Sequence, residues 1–125
     1  YSVGKDHPYK EKCQEICLRI AEEEIDAVTS VEVLQEILYR YWSIGRLEDG
    51  LTAVAKTQQL TKKVLPVSNK DISRSSEILK KSPEISPRDA IHIAVMLNNG
   101  LKEIISTDKH LDGIKGIKRI DPLTF

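Results

Sequence analysis

Three carboxylates far apart in the chain could do chemistry together: Glu36, Asp89 and Asp108. Brought to ~4 Å, each pair would repel by on the order of 4 kcal/mol at an effective dielectric near 20, so such a cluster needs a compensating partner. A hard divalent cation with oxygen ligands, Mg2+ or Mn2+, is the usual one, and it keeps waters that can attack a phosphodiester. Protonation or an arginine partner are the alternatives. Each residue also has a plainer reading. Ser86-Pro87-Arg88-Asp89 has the spacing of a helix capping box, so Asp89 could serve only the helix N-terminus. Glu36 precedes Arg40 by four residues, as in a solvated helix ion pair. Asp108, after Thr107, and Asp112, before Gly113, both suit turns.

The elements that would position these side chains alternate between helix and strand. Cys13, Ile16, Cys17 and Ile20 form an i, i+3, i+4, i+7 stripe, which predicts a helix over about 7–24 with Pro8 in its first turn. A strand comes next, at 25–29. Thr29 and Ser30 can cap a second helix, Thr29 having capping-box spacing with Glu32; its buried face would be Val33, Leu34, Ile37, Leu38 and Tyr41, and it ends at Gly45. A third helix spans 46–62, although Gly50 costs it up to ~1 kcal/mol relative to alanine. Residues 64–67 read as a strand, placed at a sheet edge because Pro66 cannot donate to a ladder. Helices over 71–81 and 86–99, then strands over 103–106 and 117–120, complete the pattern.

Strands spaced by helices imply an α/β fold with a mostly parallel sheet covered on both faces, a three-layer arrangement. Ligands of such sheets sit beyond the carboxyl ends of the strands. Asp108 directly follows a strand, and Asp89 lies in the first turn of a helix expected to begin at that edge. Glu36 is about six residues into its helix, ~9 Å along the axis, and reaches the same rim only if that helix leans across it.

Composition narrows the class. With 125 residues, 40% apolar and 30% charged, the chain is expected to form a single globular domain over residues 1–125. Lysine plus arginine and aspartate plus glutamate each total 19, which disfavours binding by bulk phosphate neutralisation. The first half is mildly acidic and the second mildly basic. No apolar run approaches the ~18 residues of a membrane span, and no signal peptide is evident, so the cytoplasm is the expected compartment. Cys13 and Cys17 sit four apart, as on one helix face, and are read as reduced structural thiols. His92 is expected in the core, and Tyr39, Tyr41 and Trp42 are expected to pack rather than stack bases.

The combination of three segments goes further. Thr29-Ser30-Val31-Glu32-Val33-Leu34-Gln35-Glu36, Ser86-Pro87-Arg88-Asp89-Ala90-Ile91-His92-Ile93-Ala94 and Ile105-Ser106-Thr107-Asp108-Lys109 together resemble the PIN-domain family, Mg2+- or Mn2+-dependent ribonucleases that include the VapC-like toxins. The resemblance spans essentially the whole chain in order. It implies that Glu36, Asp89 and Asp108 correspond to the family's second, third and fourth acidic positions, which bind metal and activate or orient the attacking water, with Asp89 a direct ligand and Glu36 and Asp108 holding or polarising water directly or through the metal. The family's first acidic residue, in an Asp-Thr-Asn motif on a central first strand, has no counterpart here: Tyr1-Ser2-Val3-Gly4 resembles the segment just after that motif, and Asp6 has no strand before it. His110-Leu111 stand where a further acid and phenylalanine often occur.

The expectation is therefore a PIN-like metal-dependent endoribonuclease lacking that central strand in this sequence. Lys109, Lys115, Lys118 and Arg119 are candidates to steer the RNA backbone, with ordinary solvated surface as their plainer reading. A toxin role would bring an antitoxin protein as partner, and the resemblance suggests a homodimer. The alternative is a catalytically inactive PIN-like module for protein interaction or nucleic-acid binding. A phosphoacceptor domain fits less well, since Lys109 adjoins Asp108 instead of following a separate strand.

Overall fold

The computed structural model describes residues 7–125. The expectations for residues 1–4 and for Asp6 lie outside the described residues. The chain divides into two compact units, one ending at Pro66 and one formed by Val67–Phe125.

The first unit contains α1 (Lys10–Ala21), β1 (Val28–Ser30), α2 (Val31–Ser43), α3 (Leu47–Leu60) and β2 (Lys63–Leu65). Helix α1 is shorter at both ends than its apolar stripe suggests. At its start, Pro8 and Tyr9 form a turn, with the Lys10 amide donating to the His7 carbonyl (2.9 Å). At its end, Glu23 adopts a left-handed φ of 61° and the Glu24 amide reaches back to the Arg19 carbonyl (2.9 Å). This closure has the six-to-one bond of a Schellman turn, made without the glycine that would have announced it. Cys13 and Cys17 are both free thiols, and burial raises the pKa of Cys13.

Of the two residues expected to cap α2, Ser30 stands at the N-cap, while Thr29 lies within β1 and the expected Thr29–Glu32 capping box does not form. The Ser30 hydroxyl is buried and, among the described residues, has no hydrogen-bond partner. Gly45, at φ 72°, turns the chain into α3. There Gly50 is buried against α2, and a β-carbon at this position would lie 2.8 Å from Tyr41 Cβ. The glycine that weakens α3 as an isolated helix thus permits its close approach to α2. β1 and β2 pair in parallel, Val28 with Lys63 and Ser30 with Leu65, and Pro66 falls just beyond the ladder.

The second unit contains α4 (Asn69–Lys81), α5 (Pro87–Asn98), β3 (Glu103–Ile105), a 3-10 turn (Lys109–Leu111), β4 (Lys118–Ile120) and a last 3-10 turn (Pro122–Thr124). Ser68 and Asp71 form a complete capping box at the head of α4. Asp71 is buried and also accepts from Asn98 Nδ2 (2.8 Å), while Arg74 donates to Asn98 Oδ1 (3.0 Å). The network ties the start of α4 to the end of α5. Ile85, Ala90, Ile93 and Leu111 form the buried centre, flanked by Ile78, Leu79, Leu97, Ile104, Ile114 and Ile117. β3 and β4 pair in parallel, Glu103 with Lys118 and Ile105 with Ile120.

Both ladders are parallel, as strands separated by helices require. They form two two-stranded sheets in place of the single sheet expected, because among the described residues no strand hydrogen-bonds to both pairs.

Candidate active site

Asp89 sits in the first turn of α5, and the capping there falls to Ser86. The Asp89 amide donates to Ser86 Oγ (3.2 Å), and Pro87 occupies the first turn, where its missing N–H costs nothing. The Asp89 side chain is half-buried, and among the described residues its carboxylate has no hydrogen bond or ion pair. It is not needed to cap the helix. That distinguishes it from Asp71, whose carboxylate is fully engaged in the same structural position of α4.

Asp108 lies just beyond the end of β3 and caps the 3-10 turn after it. Its Oδ1 accepts from the His110 amide (2.9 Å) and lies 2.9 Å from His110 Nδ1, while its own amide donates to Ser106 Oγ (3.0 Å). The His110 amide holds the Asp108 carboxyl below the usual carboxylate range against the opposing effect of burial, with the His110 ring and Arg119 adding to the lowering. An ionised carboxylate only accepts, so the ring nitrogen facing it carries the hydrogen. The turn reading of Asp108 is therefore correct as far as it goes, and it engages Oδ1 alone.

Asp89 and Asp108 belong to one unit and flank one core. Ala90, next to Asp89, and Leu111, three residues after Asp108, lie in the same buried cluster. Glu36 lies on α2 in the first unit, half-buried. Among the described residues no three His, Cys, Asp or Glu side chains come together as a ready metal-binding group. A groove of about 1670 Å³ in the first unit, walled by Cys17, Ile20, Ile37, Tyr41 and Leu60, does not include Glu36.

Lys109, Lys115 and Lys118 are exposed. Arg119 differs: its side chain is 10% exposed, and Nε and Nη2 fork onto Asp112 (2.7 and 3.3 Å) while Nη1 donates to the Ser106 carbonyl (2.8 Å). The fork lowers the Asp112 carboxyl and raises the Arg119 guanidinium further. The partnership was not visible in sequence, where a loop separates the two residues and Asp112-Gly113 signals only a turn. Tyr41 is half-buried beneath the Arg46 guanidinium (5.8 Å), as packing predicts. Tyr39 and Trp42 are instead 53% and 62% exposed, with their rings 5.8 Å apart.

The PIN domain model matches residues 2–117, a span that contains Glu36, Asp89 and Asp108. The chain belongs to the PIN-domain family. Among its relatives in that family, a VapC ribonuclease of Mycobacterium bovis is 35% identical over 120 residues, covering 96% of this chain and 92% of its own length. Ribonuclease VapC13 of Mycobacterium tuberculosis matches to the same extent, and Ribonuclease VapC23 of that organism is 30% identical over 111 residues, 89% of this chain and 87% of its own. Among the described residues no helix of this PIN-domain protein is long and apolar enough to cross a membrane.

Proposed function

We propose that this chain is an endoribonuclease of the VapC type, the toxin of a toxin–antitoxin pair, acting through a divalent cation held by carboxylates. The observation that carries the reading is the half-buried Asp89 carboxylate, left without a partner among the described residues at the head of α5, beside the core that also seats the Asp108 turn. Family membership and relatives named as VapC ribonucleases support it.

The donor set fits such a cation. Asp89 and Asp108 offer only hard oxygen ligands, and Mg2+ is commonly held by one or two carboxylates with several waters retained. Asp89 would bind through either oxygen and Asp108 through Oδ2, the oxygen His110 leaves free. Glu36 is proposed as the third carboxylate, on the strength of the family correspondence. When bound, the cation would supply Lewis-acid polarisation of a phosphoryl oxygen and a water of lowered pKa. The protein's own contribution is to hold Asp108 ionised through the His110 amide, to keep Asp89 fixed in a helix already capped by Ser86, and to attract RNA through Lys109, Lys115 and Lys118. Arg119, engaged with Asp112 and Ser106, is better suited to hold the loop than to meet a phosphate.

Residues 1–125 would act as a single PIN domain in the cytoplasm, with an antitoxin as regulatory partner and a homodimer as the assembly. The test is cleavage of a labelled RNA with Mg2+, Mn2+ or EDTA, comparing the chain with Asp89→Asn. Cleavage that needs the cation and falls at least roughly 100-fold in the variant, with the melting temperature unchanged, is the expected result. Equal cleavage by both proteins removes Asp89 from the mechanism. RNA binding without cleavage under any cation favours the inactive module.

A further inference from the structure

The loop that carries Asp108 is tied at both ends to one guanidinium. From β4, Arg119 Nη1 donates to the carbonyl of Ser106, just before Asp108, and Nε and Nη2 grip the carboxylate of Asp112, just after the 3-10 turn. Nη1 also lies 3.5 Å from Asp121 Oδ2. The Ser106 end is itself bonded to Asp108, whose amide donates to Ser106 Oγ (3.0 Å). Between the two ties Leu111 is buried in the core, so the turn is held from below as well. Beyond Asp112 the chain runs through Gly113 and Gly116, both at positive φ, on its way back to β4.

An arginine used this way has a definite physical consequence. A planar fork on a carboxylate fixes direction as well as distance, which a lysine cannot do. Fixing residues 106 and 112 limits the backbone freedom of the residues between them, and Asp108 is one of these. Cation affinity depends on such supporting contacts, because a ligand oxygen must already stand where the ion needs it.

We infer that Arg119 is a positioning residue that clamps the Asp108 loop through Ser106 and Asp112, and not a contact to RNA. The inference rests on the proposed reading of Asp108 as a ligand of the divalent cation. It makes Asp112, otherwise a simple turn residue, the other half of the same device.

Two variants separate this role from phosphate binding by the sign of their effects. Arg119→Gln removes the clamp, and Asp112→Asn releases the guanidinium from its fork. Mn2+ affinity is measured by titration calorimetry with the metal alone, and affinity for a single-stranded RNA oligonucleotide by anisotropy in EDTA. A clamp weakens Mn2+ binding roughly 10-fold or more in both variants and leaves metal-free RNA affinity unchanged. An RNA contact instead weakens RNA binding in Arg119→Gln, tightens it in Asp112→Asn and spares Mn2+, which overturns the inference. A lower melting temperature with unchanged Mn2+ affinity shows a purely structural arginine and overturns it too. Should Arg119→Gln fail to fold, Asp112→Asn and Arg119→Lys carry the same comparison, with the lysine giving an intermediate loss of Mn2+ affinity. A wild-type chain that binds no Mn2+ removes the cation reading itself, and the inference with it. Normal wild-type binding with unaffected variants removes the inference alone.

Discussion

At the scale of single residues, two aspartates in equivalent places have opposite roles. Asp71 and Asp89 both stand in the first turn of a helix, three residues after a serine cap. Asp71 accepts from the Ser68 amide, the Ser68 hydroxyl and Asn98, and is lowered in pKa by the Ser68 amide above all, whereas Asp89 accepts nothing among the described residues. The first is structural and the second is available. Asp71→Asn places a donor where one of three donors already points, and should cost about 2 kcal/mol at neutral pH by urea denaturation. The pH dependence comes from the direction of the shift. A carboxylate whose folded pKa is depressed stabilises fully above its unfolded value and loses that contribution as pH falls through the folded value. The gap between wild type and Asp71→Asn should therefore be constant near neutrality and narrow below about pH 4, from the ordinary aspartate range downward. A gap that widens on acidification would contradict the network.

At the scale of elements, Gly50 sets propensity against packing. Taken alone, α3 would gain about 1 kcal/mol from Gly50→Ala. The added methyl would meet Tyr41 Cβ at 2.8 Å, an atom too close to its own backbone to swing aside, so the two helices would have to part. Overpacking of this kind costs about 1–3 kcal/mol. The expected outcome is a net loss of stability by urea or thermal unfolding, and a stabilised Gly50→Ala would mean that the α2–α3 contact is looser than described. The ends of α1 illustrate the same competition: the apolar stripe marks which face is buried, but the turn at Glu23 decides where the helix stops.

At the scale of the molecule, the balanced charge of 19 basic and 19 acidic residues makes any attraction for RNA local. Lys109, Lys115 and Lys118 are exposed on the unit that holds Asp89 and Asp108. Replacing all three by glutamine should weaken binding to single-stranded RNA across sequences and reduce the slope of log K against log salt by about 2, if each lysine releases its counterion. An unchanged slope in EDTA would assign RNA attraction to other cations of the chain.

Helical periodicity, serine caps and the Ser86-Pro87-Arg88-Asp89 and Thr107-Asp108 segments were enough to place each α-helix of the described residues to within a few positions, the parallel sense of the strands and the family to which the chain belongs, though not the two 3-10 turns. They could do so because caps and apolar spacing are local properties, set by residues a few positions apart. Among the described residues, the division of four strands into two ladders, the Arg119–Asp112 fork, the exposure of Trp42 and the freedom of the Asp89 carboxylate were decided only by tertiary structure. Each depends on which distant group arrives beside a side chain, and a partner's arrival leaves no periodic trace in the sequence.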